Sequence, residues 1–212
     1  MELIELNSYQ KVIDEIGDLN WSALTRDELM AIAGAYYFFS VQFRENLELA
    51  CSLNPWDGCL ARLHREECDT DNLSPYPGVA EPGERMNHDE FMLRLFDMAR
   101  LRPDIRAKLD RLGASYLAYI RDFDQATRAL TIASYEDGGL ERVFRSILLA
   151  PDWNTPSLRA FQHFLVEHIR FDSDADAGHG ALSRHLVPDD RIYPLWLAFR
   201  NLLVGAAPAL AL

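Results

Sequence analysis

The sequence predicts an all-α fold, with one domain spanning residues 1–212 and built as a bundle of about seven helices. Three observations predict it. Apolar residues recur at helical spacing along almost the whole chain. No segment keeps the period-two alternation of a half-buried strand. The 49% of hydrophobic residues over 212 positions is enough for one substantial core.

Residues 24–53 read as a long core helix. Thr25 stands three residues before Glu28, the spacing of a capping box, and Met30, Tyr37, Phe38, Val41, Leu47 and Cys51 line a broad apolar face. A second helix over 56–68 ends where the segment 70–87 begins, because the three prolines of that segment cannot propagate a helix. Asn87 is placed to cap the next helix, 88–101, which stops ahead of Pro103. Residues 104–150 hold two helices divided near Arg121 to Asp124, and Pro151 ends the second. Pro156 sits in the first turn of a helix running to Asp172, where its missing N–H costs little. A last helix, 189–205, carries a stripe of Ile192, Leu195, Trp196, Phe199 and Leu203 with Gly205 as its stop, and the tail AAPALAL is expected to be loosely held.

Charge excludes several classes of function. Lys and Arg total 21 against 33 acids, a net charge of -12, so neither a nucleic-acid backbone nor an anionic membrane finds the basic surface it needs. No apolar run reaches the roughly 18 residues of a membrane span. Acids stand in the N-terminal stretch where a secretion signal carries a basic flank, so a cytoplasmic protein is expected. Cys51, Cys59 and Cys68 contain no Cys-x-x-Cys pair; they predict neither a disulfide framework nor a structural zinc site, and read as small buried hydrophobes.

Four of the six histidines fall between His163 and His185, interleaved with Asp172, Asp174 and Asp176. His168 and Asp172 are four residues apart, one turn along one helix face, a spacing at which two side chains share one metal ion. His163 is rotated away from that face and reads as a supporting or surface residue, and His185 as a surface or helix-end charge. Three other places can complete a metal site. Glu66 and Glu67 close the second helix and His88 opens the next, although acids at a helix end and a histidine in a first turn are ordinarily solvated. Glu136 follows the small, apolar run from Ala129 to Tyr135, an interior setting in which a carboxylate needs a cation, a proton or a nearby arginine. Helical bundles build di-metal sites by pointing such groups inward, and oxygen and nitrogen donors suit iron, manganese or zinc. Arg128, Arg142, Arg145 and Arg170 are candidates to bind a substrate carboxylate, with solvated helix surface as the plainer reading.

In this order, these residues resemble the haem-oxygenase-like di-iron oxidases and oxygenases, which share the all-helical fold of haem oxygenase and of TenA-type thiaminases. The resemblance covers most of the chain and includes the aromatic run AYYFFSVQF before the first metal-binding helix. The family pattern is a glutamate near the end of one core helix, a histidine soon after, a glutamate in a middle helix, and a late His-x-x-x-Asp-x-x-His. Glu67 matches the first position and His88 the second, across a longer loop than usual; Glu136 matches the middle glutamate, and His168, Asp172 and His179 the late motif. The resemblance implies that these six side chains hold two Fe(2+) ions per chain, with O2 as co-substrate. Three carboxylates against two divalent ions leave such a centre near +1, a modest charge for a low-dielectric interior.

The late motif departs from the family. Two residues separate aspartate from histidine there, whereas six separate Asp172 from His179. Seven residues of continuous helix rise about 10.5 Å, too far for one ion, so the helix must break or bulge, which Ser173 and Gly178 permit. A rival register keeps the helix intact and uses Asp172, Asp176 and His179. The first is preferred for its nitrogen ligands, leaving Asp174 and Asp176 solvated.

By resemblance, the activity is N-oxygenation of an amino-acid-derived amine, with oxidative C–C cleavage or decarboxylation of an amino or fatty acid as the second reading, in specialised-metabolite biosynthesis. The partner is then a small-molecule substrate, free or bound to a carrier protein, and a homodimer is compatible. The alternative of another class is a metal-free TenA-like hydrolase or small-molecule-binding protein. Such a hydrolase requires a reactive cysteine, and none of the three has an evident basic partner. A non-enzymatic interaction protein leaves the inward acids and histidines unexplained. Haem oxygenase itself is disfavoured because its proximal histidine lies near the N-terminus, and no histidine precedes His64.

Overall fold

The computed structural model describes residues 8–70, 75–172 and 178–212, the side chains of Phe171 and Asp172 excepted. Among the described residues the protein is all-helical, with no strand. Its α-helices are α1 (Ser8–Gly17), α2 (Arg26–Leu53), α3 (Gly58–Glu67), α4 (His88–Met98), α5 (Pro103–Arg121), α6 (Gln125–Ser134), α7 (Leu140–Ile147), α8 (Pro156–Asp172), α9 (His179–Ser183) and α10 (Tyr193–Ala206). None of them is long and apolar enough to cross a membrane.

The spine is α2. Its capping box forms as the spacing predicts: the Thr25 hydroxyl accepts from the Glu28 N–H at 3.3 Å, and the Glu28 carboxylate accepts from the Thr25 N–H at 2.9 Å. Every residue from Leu29 to Tyr36 is buried. A helix apolar on all sides must be surrounded, and α2 packs against α3, α4, α5, α6, α8 and α10. Its aromatic residues continue into the neighbouring helices. Phe39 stacks on Phe199 with ring centroids 4.1 Å apart, Tyr36 meets Phe144, Phe161 and Phe164, and Phe164 lies 4.0 Å from the ring of His168.

Several elements differ from the sequence reading. Tyr9, Val12, Ile13 and Ile16 give α1 an apolar edge against α7 and α10, a helix the reading lacks. Residues 104–150 hold three helices rather than two. The break falls at Asp122 to Asp124 as expected, and Asp124 caps α6 through the Thr127 N–H at 2.9 Å. A kink at Tyr135–Gly139 then separates α6 from α7; in it Asp137 (φ -85°, ψ 55°) leaves helical geometry and Gly138 has φ 87°, which glycine adopts without strain. Gly205 lies inside α10, which runs on to Ala206. The tail is docked rather than loose: Leu210 is buried, and its carbonyl accepts from the Asn20 N–H at 3.1 Å. Asn87 does stand at the N-cap of α4, but its side chain accepts from the Asp69 N–H at 2.7 Å instead of capping the helix. The proline-rich segment is pinned by isolated antiparallel bridges, Thr70 to Met86 and Tyr76 to Ala80, with Val79, Ala80 and Met86 buried. Cys51 and Cys68 are half-buried and pack against the core, whereas Cys59 is exposed, so none of the three is a fully buried hydrophobe.

Replacing the cap with Thr25→Ala is expected to cost about 1 kcal/mol, a fall of about 2–4 °C in Tm for a chain of this size. Thermal denaturation checks it; an unchanged Tm would mean that the capping box does not persist in solution.

Candidate metal centre

Five of the six side chains proposed as ligands converge, and most come from places where a helix ends or deforms. Glu67 is the last residue of α3, His88 the first of α4, and His179 the first of α9. Glu136 lies in the kink between α6 and α7, next to Asp137 and Gly138, where the backbone leaves helical geometry. Only His168 comes from within a helix body. Glu67, His88, Glu136 and His179 are all buried, and His168 is half-buried. Asp172 ends α8, but its side chain lies outside the described residues, as do Asp174 and Asp176 altogether. The long Asp-to-His spacing corresponds to separate helices, α8 ending at Asp172 and α9 starting at His179 behind Gly178.

The donor atoms form two groups that share Glu67. Oε2 of Glu67 lies 2.8 Å from His88 Nδ1, which is 3.1 Å from His168 Nε2. Oε1 of Glu67 lies 2.8 Å from His179 Nδ1, which is 3.5 Å from a Glu136 carboxylate oxygen. Within each group the atoms lie within 4.8 Å of one another, the arrangement of ligands around a cation. Glu67 Oε1 supplies a direct test of fit. It is buried and, despite its 2.8 Å approach to His179, makes no properly directed hydrogen bond. A buried carboxylate oxygen left so costs on the order of 1–3 kcal/mol, and a cation between oxygen and imidazole removes that penalty. The residues therefore fit metal binding, in two groups that share Glu67.

Electrostatics and outer contacts agree with that fit. Burial by itself would raise the Glu67 carboxyl, but the electrostatic attraction of the neighbouring His88 and His179 outweighs it and holds the group well below the usual carboxylate range, keeping it ionised. Burial, followed by the neighbouring His88, pushes His168 down to about 3, keeping it neutral. The His168 Nδ1–H donates to the Phe164 carbonyl at 2.8 Å, which fixes the tautomer and leaves the Nε2 lone pair facing the site. On its far side His179 Nε2 lies 3.5 Å from Glu66, a carboxylate placed to orient the ring.

With five residues, α9 is too short to hold itself together. Its neighbours seat it. A Cβ at Gly180 would stand 3.0 Å from the Glu136 carbonyl oxygen, so glycine lets α9 close on the kink between α6 and α7. Arg184 pairs with Asp137 at 3.3 Å, and His185 with Asp57, the N-cap of α3, at 2.5 Å. His185 thus ties α9 to the helix that carries Glu67. His163 is half-buried against Tyr76, ring centroids 5.3 Å apart, and is not in either donor group.

A cavity of about 20 Å³, room for one or two water-sized molecules, adjoins the ligands. Tyr36, Phe39, Phe43, Leu140 and Phe164 make its walls largely apolar, and Ser40, Arg44, Cys68 and Asp89 add polar groups. None of the arginines singled out from the sequence lines it. Arg128 is buried in a network with Asn46 and Glu45, and Arg142, Arg145 and Arg170 pair with Asp14, Glu141 and Glu167. The polar pair at the cavity is Arg44 with Asp89, at 3.0 Å, which the sequence reading missed. The position of Asp89 directly after His88 was the available signal.

No protein-family model matches this chain, nor does any curated protein or solved structure.

Two expectations follow from this geometry. His185→Ala removes one tether of α9, so affinity for zinc(II) should fall several-fold while Tm of the metal-free protein shifts by less than about 2 °C, since an exposed pair contributes little to global stability; competition with a chelator measures the first. In the metal-free protein the folded state keeps His168 neutral down to about pH 3, whereas the unfolded chain binds that proton near 6.5. The stability associated with this group is therefore intact above about pH 6.5 and declines as pH falls toward 3. Urea unfolding between pH 7 and 4 should show a shallower decline in His168→Gln than in the parent protein; equal slopes would assign the loss to other groups.

Proposed function

We propose that this protein is a non-haem di-iron enzyme that uses O2 to oxidise a small amine, with N-oxygenation of an amino-acid-derived amine as the first reading and oxidative C–C cleavage as the second. The observation that carries the proposal is Glu67, whose two oxygens belong to separate ligand groups, one with His88 and His168 and the other with His179 and Glu136. Buried carboxylates and imidazoles without thiolate are a donor set suited to iron, manganese or zinc; the order of the ligands, which resembles the haem-oxygenase-like di-iron enzymes, favours iron. Two ferrous ions supply the electrons and open coordination positions that O2 reduction needs.

The chain's own residues have definable tasks. Glu67 sets the separation of the two groups by serving both. Phe164 holds His168 through its carbonyl and covers it with its ring. Tyr36, Phe39, Phe43 and Leu140 keep bulk water from the cavity, which strengthens the electrostatics inside it. A metal-free hydrolase of the TenA type is disfavoured by Cys68. It does line the cavity, but burial and the charge of Glu67 push its thiol up to about 12, so it stays protonated and is a poor nucleophile.

Anaerobic reconstitution with iron(II) tests the proposal. The expected result is about two irons per chain, oxygen uptake on exposure to air with a transient visible absorption, loss of both irons in Glu67→Ala and of one in Glu136→Ala or His168→Ala. Fewer than one iron bound by the parent protein, unchanged by these substitutions, would sink the di-iron reading.

A further inference from the structure

We propose that Asp89, held in place by Arg44, is the anchor for a substrate amine, receiving an N–H of the substrate on Oδ1 and thereby setting a preference for amines over alcohols and carboxylates. The inference builds on the di-iron reading for the reaction that follows binding, but the binding site itself stands on separate residues. Asp89 is the residue after His88 and shares its cavity. Its Oδ2 accepts from the Arg44 Nε–H at 3.0 Å. Its Oδ1 is buried and has no hydrogen-bond partner among the described residues. A guanidinium facing a carboxylate commonly binds both oxygens. Here Arg44 turns Nη1 away to Glu48 at 2.9 Å, so one oxygen of Asp89 is left over.

The chemistry required of a ligand at that oxygen is specific. An ionised carboxylate is an acceptor only, so the missing group must be a donor. Arg44 is shared between Asp89 and the exposed Glu48, so Asp89 is only partly neutralised, which at its Oδ1 favours a cationic donor over a neutral one and disfavours a carboxylate. The nearby wall is aromatic and aliphatic, and the cavity admits a headgroup about the size of water, which matches an alkylammonium. Water meets the donor requirement but brings no charge and no apolar part, so an amine with a short alkyl chain is the better complement. Arg44 acts as a positioning residue, fixing the Asp89 carboxylate against α2 without contacting the ligand.

The test uses methylamine, methanol and formate as small probes, titrated calorimetrically into the zinc-loaded and the metal-free full-length protein. The parent protein should bind methylamine at least tenfold more tightly than methanol and formate. Asp89→Asn, equal in shape but able to donate as well as accept, should abolish that preference, and Asp89→Glu should restore part of it. A preference for formate or methanol in the parent protein, or an amine preference that survives in Asp89→Asn, overturns the proposal. If Asp89→Asn does not fold, retention of the full preference in Asp89→Ser overturns it and loss supports it. The zinc count reports on the di-metal reading independently: amine preference without two bound metals supports the anchor and removes the di-metal reading, whereas two metals without amine preference do the reverse.

Discussion

A carboxylate can be buried only where positive charge is shared with it, and Glu67 is where this protein meets that constraint. Isolated, an ionised carboxylate in the interior costs several kcal/mol. Here its two oxygens face two different histidines at 2.8 Å each, and burial is outweighed. The placement of α3, α4, α9 and the kink between α6 and α7 can be understood from that requirement. Each delivers its nitrogen or oxygen to a point that a regular helix face would not reach together with the others.

Ligands and walls have different origins in the fold. The candidate ligands come mainly from interruptions: the end of α3, the starts of α4 and α9, and the kink between α6 and α7. Most of the wall comes from α2, an unbroken helix of 28 residues that contributes Tyr36, Phe39, Ser40, Phe43 and Arg44 to the cavity and no residue to either donor group. This division has a physical basis. A continuous, fully surrounded helix packs tightly and moves little, which suits a wall. Helix ends and kinks release the side chain from the direction imposed by neighbouring turns, which suits a group that must meet partners from other elements. The Asp89–Arg44 pair sits at the junction of these parts, on α4 one residue beyond His88 and on α2.

Much of this architecture is written locally in the chain. The capping box at Thr25 and Glu28, the proline punctuation before α5 and α8, and the apolar stripe of α10 are short-range signals, and the corresponding helices stand where those signals place them. The residue types able to hold a metal were legible for a related reason: histidines close together, and a glutamate after a run of small apolar residues, are unusual enough to notice without knowing what they touch. The arginines singled out were a weaker inference, since a surface ion pair and a substrate-binding arginine have the same local sequence. Arg128, which proved to be buried with Asn46 and Glu45, had no local mark at all.

The sequence by itself determined most of the helical stretches and which side chains have donor atoms suited to a metal, because caps, periodicity and donor type act over a few neighbouring residues. Only the tertiary structure decided that Glu67 faces two histidines, that Glu136 turns inward at the kink between α6 and α7, that Gly180 lets α9 close on that kink, and that Asp89 keeps an oxygen without a donor among the described residues. Each of these depends on atoms more than ten residues apart in the chain. Their meeting is decided by how helices that must bury their apolar faces settle against one another, and that balance is a property of the whole core rather than of any segment in it.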